Sequence, residues 1–501
     1  MSGHFLKRWL YLTHRWIGIV TCLLFVMWFV SGLVLVYVPY PALDREEWLA
    51  GQAPIEWESV AAAPSEAYAG SDPADLRRLH LEMRGSEPVW RWQSWDGREE
   101  VRSAVDGRAI GATSREEAVR IASAYADAPL SALELIHHDQ WTVAGRYEIH
   151  RPLWKATIEG DEGLNLYLSS NTGAVLLETT ARERFWNWLG AVPHWIYPTV
   201  LRQDNEAWRQ VVMWLSGPCI IAGLTGIWIG ILRVRLGRRR FREGRITPYR
   251  GWMMWHHLTG LAGSAFLILW IFSGWLSVDP GNLFRSEGPT TELQRQYAGP
   301  VDPDLGFERL AAALPQARRV TLASAAGAPY WQVEERGAPT RYLDAGTLQA
   351  SAREPQQVQQ AISRLFPESS IASVETLTKP DAYWYSVNGE VRLPVTRIKL
   401  DDSAATWIHV DPATGEVLGS VARSDRIYRW LYDLFHRWDL NILLDNRPAR
   451  DLVIWIFSLL GLATSVTGVW IGWLRLRGQR ARSPKVRSRD RKHGAVVQPA
   501  E

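Results

Sequence analysis

Two cysteines in 501 residues, Cys22 and Cys219, both inside apolar runs, leave no disulfide framework, no cysteine zinc site and no iron–sulfur cluster. A GxGxxG fingerprint and a Walker phosphate loop are also absent, so a nucleotide or flavin site has no basis in this chain. No nucleophile stands at a recognisable spacing from a base. Charge of one sign is missing overall: the formal net charge is +3, and no nucleic-acid partner is expected. What is plentiful is tryptophan. The 28 Trp suit a chain with much lipid–water boundary to occupy, since the indole ring settles there.

Four runs are apolar and free of charge for long enough to cross a hydrocarbon layer of about 30 Å, which takes roughly 20 helical residues. They are Ile17 to Val38, Val211 to Leu232, Gly251 to Val278 and Leu452 to Leu474. The first is preceded by Lys7 and Arg8 like a signal peptide, but it is too long and ends without a small-x-small cleavage site, so it reads as a retained anchor. Between Arg233 and Arg250 stand eight Arg and one Glu, and the tail after the fourth run is similarly basic. Lys and Arg next to spans mark the cytoplasmic side. Both termini and the middle loop are therefore expected inside a bacterial inner membrane, with two long segments in the periplasm.

That divides the chain into eight parts. The cytoplasmic N-terminus and first span take residues 1–38, and a first outer domain takes 39–185. An interfacial segment with the second span covers 186–235, followed by a basic loop, 236–250, and the third span, 251–278. A second outer domain, 279–427, leads to an interfacial segment with the fourth span, 428–477, and a basic tail, 478–501.

The parts repeat. Leu224 to Arg235, LTGIWIGILRVR, returns as VTGVWIGWLRLR at Val466 to Arg477, an offset of 242 residues. The same offset carries His14 to His256, Gly18 to Gly260, Ser31-Gly32 to Ser273-Gly274, Pro152 to Pro394 and His194 to His436. A unit of span, outer domain and span is read as duplicated, giving a four-helix transmembrane bundle about a pseudo-two-fold axis along the membrane normal. Each outer domain reads as α+β. Val89 to Trp95 alternates like a strand, Ser114 with Glu117 forms a capping box, and Asn171-Thr172-Gly173 turns between two strands. In the second domain the hairpin is placed at Thr406 to Val410 and Glu416 to Leu418, and the helix at Gln357 to Phe366.

Twelve histidines are present, and position and repeat single out four. His14 and His256 stand at the cytoplasmic ends of the first and third spans. His194 and His436 precede the second and fourth spans in Trp-rich segments. A lone His at a span end is an ordinary interfacial residue, but two-fold packing brings repeat-related histidines toward a common axis. Two facing imidazoles meet the need of a b-type haem for one nitrogen on each side of its plane. Gly18 and Gly260, one turn beyond His14 and His256, leave room for a flat ring, as do Gly32 and Gly274, five turns beyond. Close helix packing uses the same glycines. Zinc would need a third and fourth ligand, which nothing supplies; a histidine proton relay stays open as the alternative. His257 competes with His256 as ligand; its repeat equivalent is Arg15, which favours His256 and leaves His257 as a candidate propionate neighbour, with the choice between the two open. His80, His150, His409 and the pair His137-His138 read as outer-domain surface residues.

HRWIG at His14 and HHLTG at His256, each opening a span that ends Ser-Gly, resemble the PepSY-associated transmembrane helix proteins. So do PHWIYPTVLR around His194 and LFHRWDLNILL around His436, each before a span ending Thr-Gly-x-Trp. The outer domains look like PepSY domains, and the resemblance covers nearly the whole chain. It implies a dihaem membrane oxidoreductase like the FoxB-type siderophore reductases. There His14 and His256 would hold the cytoplasmic-side haem iron, and His194 and His436 the periplasmic-side one. Arg15 and Arg437 are then candidates for propionate contact, with a ferric siderophore as acceptor and a quinol or separate reductase as donor. One chain holds both halves, so a monomer is expected. Two other readings compete: a non-catalytic PepSY binding or regulatory protein on a membrane anchor, and a transporter or transporter-associated subunit. Repeat-paired histidines have no use in the first, and the second calls for mid-membrane polar residues that are sparse here.

Overall fold

The computed structural model describes residues 3–68, 72–160, 162–286, 288–387 and 391–478; the basic tail from 479 onward, with His493, lies outside them. The fold mixes membrane-type helices with antiparallel sheets. Three helices are long and apolar enough to cross a membrane: Gly3–Leu35, Asn205–Arg233 and Arg447–Leu476. They expose Val20, Leu23, Leu224, Trp228, Ile231 and Leu459 outward, a surface that suits lipid and not water. A helix closes its own backbone hydrogen bonds, which is what a membrane interior demands of a spanning segment.

The run expected as one span over 251–278 differs. It forms two helices, Trp252–Ala262 and Ser264–Leu276, bent by 67° at the residue between them. That residue is Gly263, and a Cβ there would stand 3.3 Å from the Leu460 Cβ. The glycine permits a close approach of helix to helix at the break, which uniform apolar composition does not announce.

The chain divides into two compact units: the described parts of Met1–Phe29, Pro218–Ile268 and Ile456–Glu501, and those of Val30–Gly217 and Leu269–Trp455. Within the first, small residues let helices come together. Gly461 faces the Phe29 ring, Gly472 faces Ile19, Gly223 faces Ile268 and Gly230 faces Leu261.

The second unit is built on three sheets. The largest has seven antiparallel strands in the order Arg341–Asp344, Ala328–Glu334, Arg319–Ala325, Leu76–Arg84, Glu87–Ser94, Glu99–Ser103 and Ala109–Ile110. Strands from both long segments thus share one sheet. At the junction Leu79 pairs with Leu322 and His80 with Thr321, and the 242-residue offset turns the first pair into the second. Leu79, Leu81, Trp90, Leu322, Trp331 and Val333 share one face and form a core capped by Ile55, Tyr68, Leu310 and Leu314. Each buried side chain of that size contributes about 1.5–3 kcal/mol of burial free energy. Trp90 donates to the Ala62 carbonyl at 3.0 Å and Trp331 to that of Leu305 at 2.9 Å, so neither indole N–H is stranded.

Two four-stranded sheets complete the unit. Leu130–Ile136, Leu153–Ile158, Asn165–Ser169 and Val175–Thr179 form one; Ser370–Leu377, Val395–Asp401, Trp407–Val410 and Val417–Val421 form the other. Helix Arg115–Ala126 packs on the first, with Ser114 and Glu117 closing a reciprocal capping box at its start. Helix Pro355–Leu365 has the corresponding place on the second. Gly173 and Gly415 take φ of +73° and +78° in the two Thr-Gly turns, a region glycine enters without a Cβ clash.

Glu178 on the first of these sheets is half-buried, and burial followed by the nearby Glu47 carboxylate raises its pKa to about 7. Its proton is held more tightly folded than unfolded, so the stability it contributes is complete at pH 4.5 and is lost as pH rises through about 7. Glu178→Gln is therefore expected to melt like the wild type at pH 4.5 and to be the more stable at pH 8. After allowance for solvent screening the gain is about 1–2 kcal/mol. Thermal melts at the two pH values check this, and equal melting at pH 8 would refute it.

Candidate functional site

His14 lies on helix Gly3–Leu35, and its Nδ1 is 3.0 Å from the Ala222 carbonyl oxygen and 3.4 Å from the Thr225 hydroxyl. His256, on helix Trp252–Ala262, has its Nδ1 3.0 Å from the Thr464 carbonyl and 3.2 Å from the Thr467 hydroxyl. The acceptors match across the 242-residue offset. A carbonyl can only accept, so in the neutral ring Nδ1 carries the proton and Nε2 the lone pair. The two rings face one another with centroids 6.3 Å apart and planes inclined by 39°.

The second pair is built the same way, with a serine hydroxyl in place of the threonine hydroxyl. His194 ends the short helix Ala191–His194, and His436 sits in Phe435–Arg437, directly after a π-helical turn at Arg429–Leu434. The His194 Nδ1 is 3.1 Å from the Ser31 hydroxyl, and that of His436 is 3.1 Å from the Ser273 hydroxyl. Ser273 donates its own proton to the Trp270 carbonyl at 3.1 Å, which leaves its oxygen to accept from the ring. The centroids are 6.0 Å apart and the planes are inclined by 60°. Tyr432 stacks on His436 at 5.3 Å, and the Trp270 indole donates to the His436 carbonyl at 3.1 Å.

Each ring also rests against a glycine. An added Cβ would lie 2.7 Å from the His14 Cε1 at Gly226 and 3.4 Å from the His256 Cε1 at Gly468. At Gly32 it would lie 3.0 Å from the His194 Cε1, and at Gly274 it would lie 3.3 Å from that of His436. Gly32 and Gly274 thus make room for an imidazole, where a flat macrocycle was expected. Thr225-Gly226, Thr467-Gly468, Ser31-Gly32 and Ser273-Gly274 are one device used four times: a hydroxyl and a glycine that seat one histidine. Sequence reasoning found these dipeptides as repeat markers and missed what they do. Their signal was the constant hydroxyl-glycine order. Gly18 opens onto space with nothing within 4 Å of an added Cβ, while Gly260 packs 3.2 Å from the Thr464 Cγ2.

The remaining candidates fall elsewhere. His257 is buried with Nδ1 2.9 Å from the Thr247 hydroxyl and Nε2 3.0 Å from the Gly230 carbonyl, so protein atoms engage both nitrogens. Arg15 is exposed. Arg437 pairs with Asp433 and lies 3.6 Å from Asp439, a buried carboxylate that also takes Arg429 at 2.9 Å and the Tyr385 hydroxyl at 2.6 Å. The equivalent positions of the first half are Asn187, Ala191, Trp195 and Tyr197, so this charged network belongs to the second half alone. His409, expected at the surface, is instead buried, stacked on Trp384 at 4.5 Å and accepting from Arg397 at 2.8 Å. Burial, then the neighbouring Arg397, lowers its pKa to about 4. His80 bonds Thr321 across the sheet junction at 2.7 Å, and His138 stands 3.7 Å from Glu148. Among the described residues no three of His, Cys, Asp and Glu converge as metal ligands.

The model of one family, the PepSY-associated TM region, matches residues 11–297 and again 311–496. The chain belongs to that family and is a membrane protein of its kind. No curated protein matches it.

Proposed function

We propose that this member of the PepSY-associated family is a duplicated, four-span electron-transfer protein of a bacterial inner membrane. In this reading it holds one b-type haem at each histidine pair. The observation that carries the reading is the spacing of the rings. Two imidazoles bonded to one iron at about 2 Å each hold their centroids roughly 6 Å apart, and the pairs stand at 6.3 and 6.0 Å. Anchored Nδ1 atoms fix the tautomer in which Nε2 carries the lone pair, the form in which an imidazole would hold an iron. Two nitrogens, with no third ligand among the described residues, suit haem and not zinc. With both nitrogens of His257 occupied, His256 is the ligand of choice.

Haem bound at the two pairs would supply one-electron chemistry. The chain's own residues hold each Nδ1 and seat each ring against a glycine. The basic residues between Arg233 and Arg250 support a cytoplasmic middle loop, and with it periplasmic sheets. A ferric siderophore is the proposed acceptor: reduction to Fe(II) weakens its hold on hard oxygen ligands and releases the iron. The donor is a quinol or a cytoplasmic reductase, and a single chain suffices.

Anaerobic mixing of dithionite-reduced protein, freed of reductant, with a ferric hydroxamate siderophore and a ferrous chelator tests the acceptor. About two ferrous ions per chain are expected, one for each one-electron centre. Reduced protein whose spectrum is unmoved by any ferric chelate would overturn this part of the reading.

A further inference from the structure

The connection from Arg233 to Arg250 carries eight Arg and one Glu, and it folds back on itself. The Arg235 amide donates to the Ile246 carbonyl at 2.9 Å, and the Phe241 amide to that of Arg245 at 2.9 Å. The Arg235 guanidinium lies over the Phe241 ring, 4.3 Å from its centre. Past the Arg235–Ile246 bond stand Arg238, Arg239, Arg240 and Arg242, all exposed. The lone Glu243 is taken by Arg250 at 2.9 Å and lies 3.6 Å from Arg245. Among the described residues no carboxylate pairs with the four Arg of the tip. Charges of one sign crowded on so short a tip repel one another and attract a negative partner.

Both roots of this loop are fixed to the helices that carry the first histidine pair. Arg233 donates through Nε to the Tyr11 hydroxyl at 2.6 Å, and Tyr11 stands three residues before His14 on helix Gly3–Leu35. Helix Asn205–Arg233 itself seats His14 at Ala222 and Gly226, the latter two turns or roughly 10 Å before Arg233. At the other root, buried Thr247 bonds at 2.9 Å to His257, the neighbour of His256 on helix Trp252–Ala262. Arg that serve only to fix orientation in a membrane need no such attachment. We propose that the tip is the docking surface of an acidic one-electron carrier protein, of the flavodoxin or ferredoxin kind, which reduces the His14–His256 site. The proposal rests on the two-haem reading and narrows its donor to a soluble protein. One electron leaves the reduced carrier, which is oxidised, and a ferric centre at the pair becomes ferrous, with no bond made or broken.

Stopped-flow reduction of the full-length protein by flavodoxin hydroquinone, in nanodiscs of phosphatidylcholine alone, is the test. The rate should fall about tenfold or more between roughly 50 and roughly 500 mM salt, because steered encounter is screened. A triple variant, Arg238→Gln with Arg239→Gln and Arg240→Gln, keeps the other five Arg of the loop. It should slow flavodoxin by about tenfold and leave dithionite as fast as before. His14→Ala should abolish the fast flavodoxin phase. A flavodoxin rate indifferent to salt and to the triple change would overturn the proposal. So would a triple variant that keeps the flavodoxin rate and loses only its affinity for phosphatidylglycerol vesicles, which would assign the tip to lipid. Oxidised flavodoxin should bind the wild type and not the triple variant, and that measurement needs no haem. A wild type that binds flavodoxin but holds no haem would overturn the two-haem reading and leave the docking surface standing.

Discussion

Valine at Gly226 is expected to strip one haem from the protein and leave the other. The Gly226 position lies so close to the His14 ring that a bare Cβ would meet its Cε1 at 2.7 Å, under any normal contact distance. A branched side chain there pushes the imidazole off the Ala222 carbonyl and turns its Nε2 away from His256. The steric penalty of such overpacking is about 1–3 kcal/mol, and moving the ring avoids it, so the protein gives up the ligand geometry before it gives up its fold. Pyridine haemochrome analysis should fall from about two haems per chain to about one. Valine at Gly217, where an added Cβ meets nothing within 4 Å, is the control and should keep both. Equal haem content in the two variants would show that Gly226 does not seat the ligand.

The second large effect is expected at Asp439. This carboxylate is fully buried and takes Arg429 at 2.9 Å and the Tyr385 hydroxyl at 2.6 Å, with Arg437 at 3.6 Å. Asp439→Ala leaves the buried Arg429 guanidinium without its counter-charge, and removing one partner of a buried pair costs about 3–5 kcal/mol. The damage is local to the segment that carries His436, three residues earlier. A lowered melting temperature and loss of the haem at the His194–His436 pair should appear together, while the spectrum of the other haem stays. Asp439→Asn keeps the shape and a hydrogen bond to Tyr385, so its effect should be smaller. A variant that melts like the wild type with both haems would show that the network does not hold the segment.

Much of this arrangement was legible in the sequence for reasons that are local. Long uncharged runs mark helices suited to lipid, and Ser114 with Glu117 marks a helix start, because each signal lies within a few residues. The repeat made four histidines stand out from twelve. Non-local features were not legible. Nothing near Leu79 or Leu322 says that these residues, far apart in the chain, pair at the centre of one seven-stranded sheet. The bend at Gly263 depends on how close Leu460 comes, which composition does not encode. Gly32 and Gly274 were read by their spacing from His14 and His256, whereas the structure sets them against His194 and His436. Helical periodicity orders the residues of one helix by face and is silent about which other helix brings the ring.

Haem stoichiometry tests the central claim most directly. Purified protein in detergent, with His14→Ala and His194→Ala beside it, would be assayed by oxidised and reduced spectra and by pyridine haemochrome. The account predicts about two b haems per chain in the wild type and about one in each variant, with different α-band positions for the haem that remains. A wild-type protein that is colourless and stays colourless after incubation with haem would contradict it, and the histidine pairs would then need another purpose.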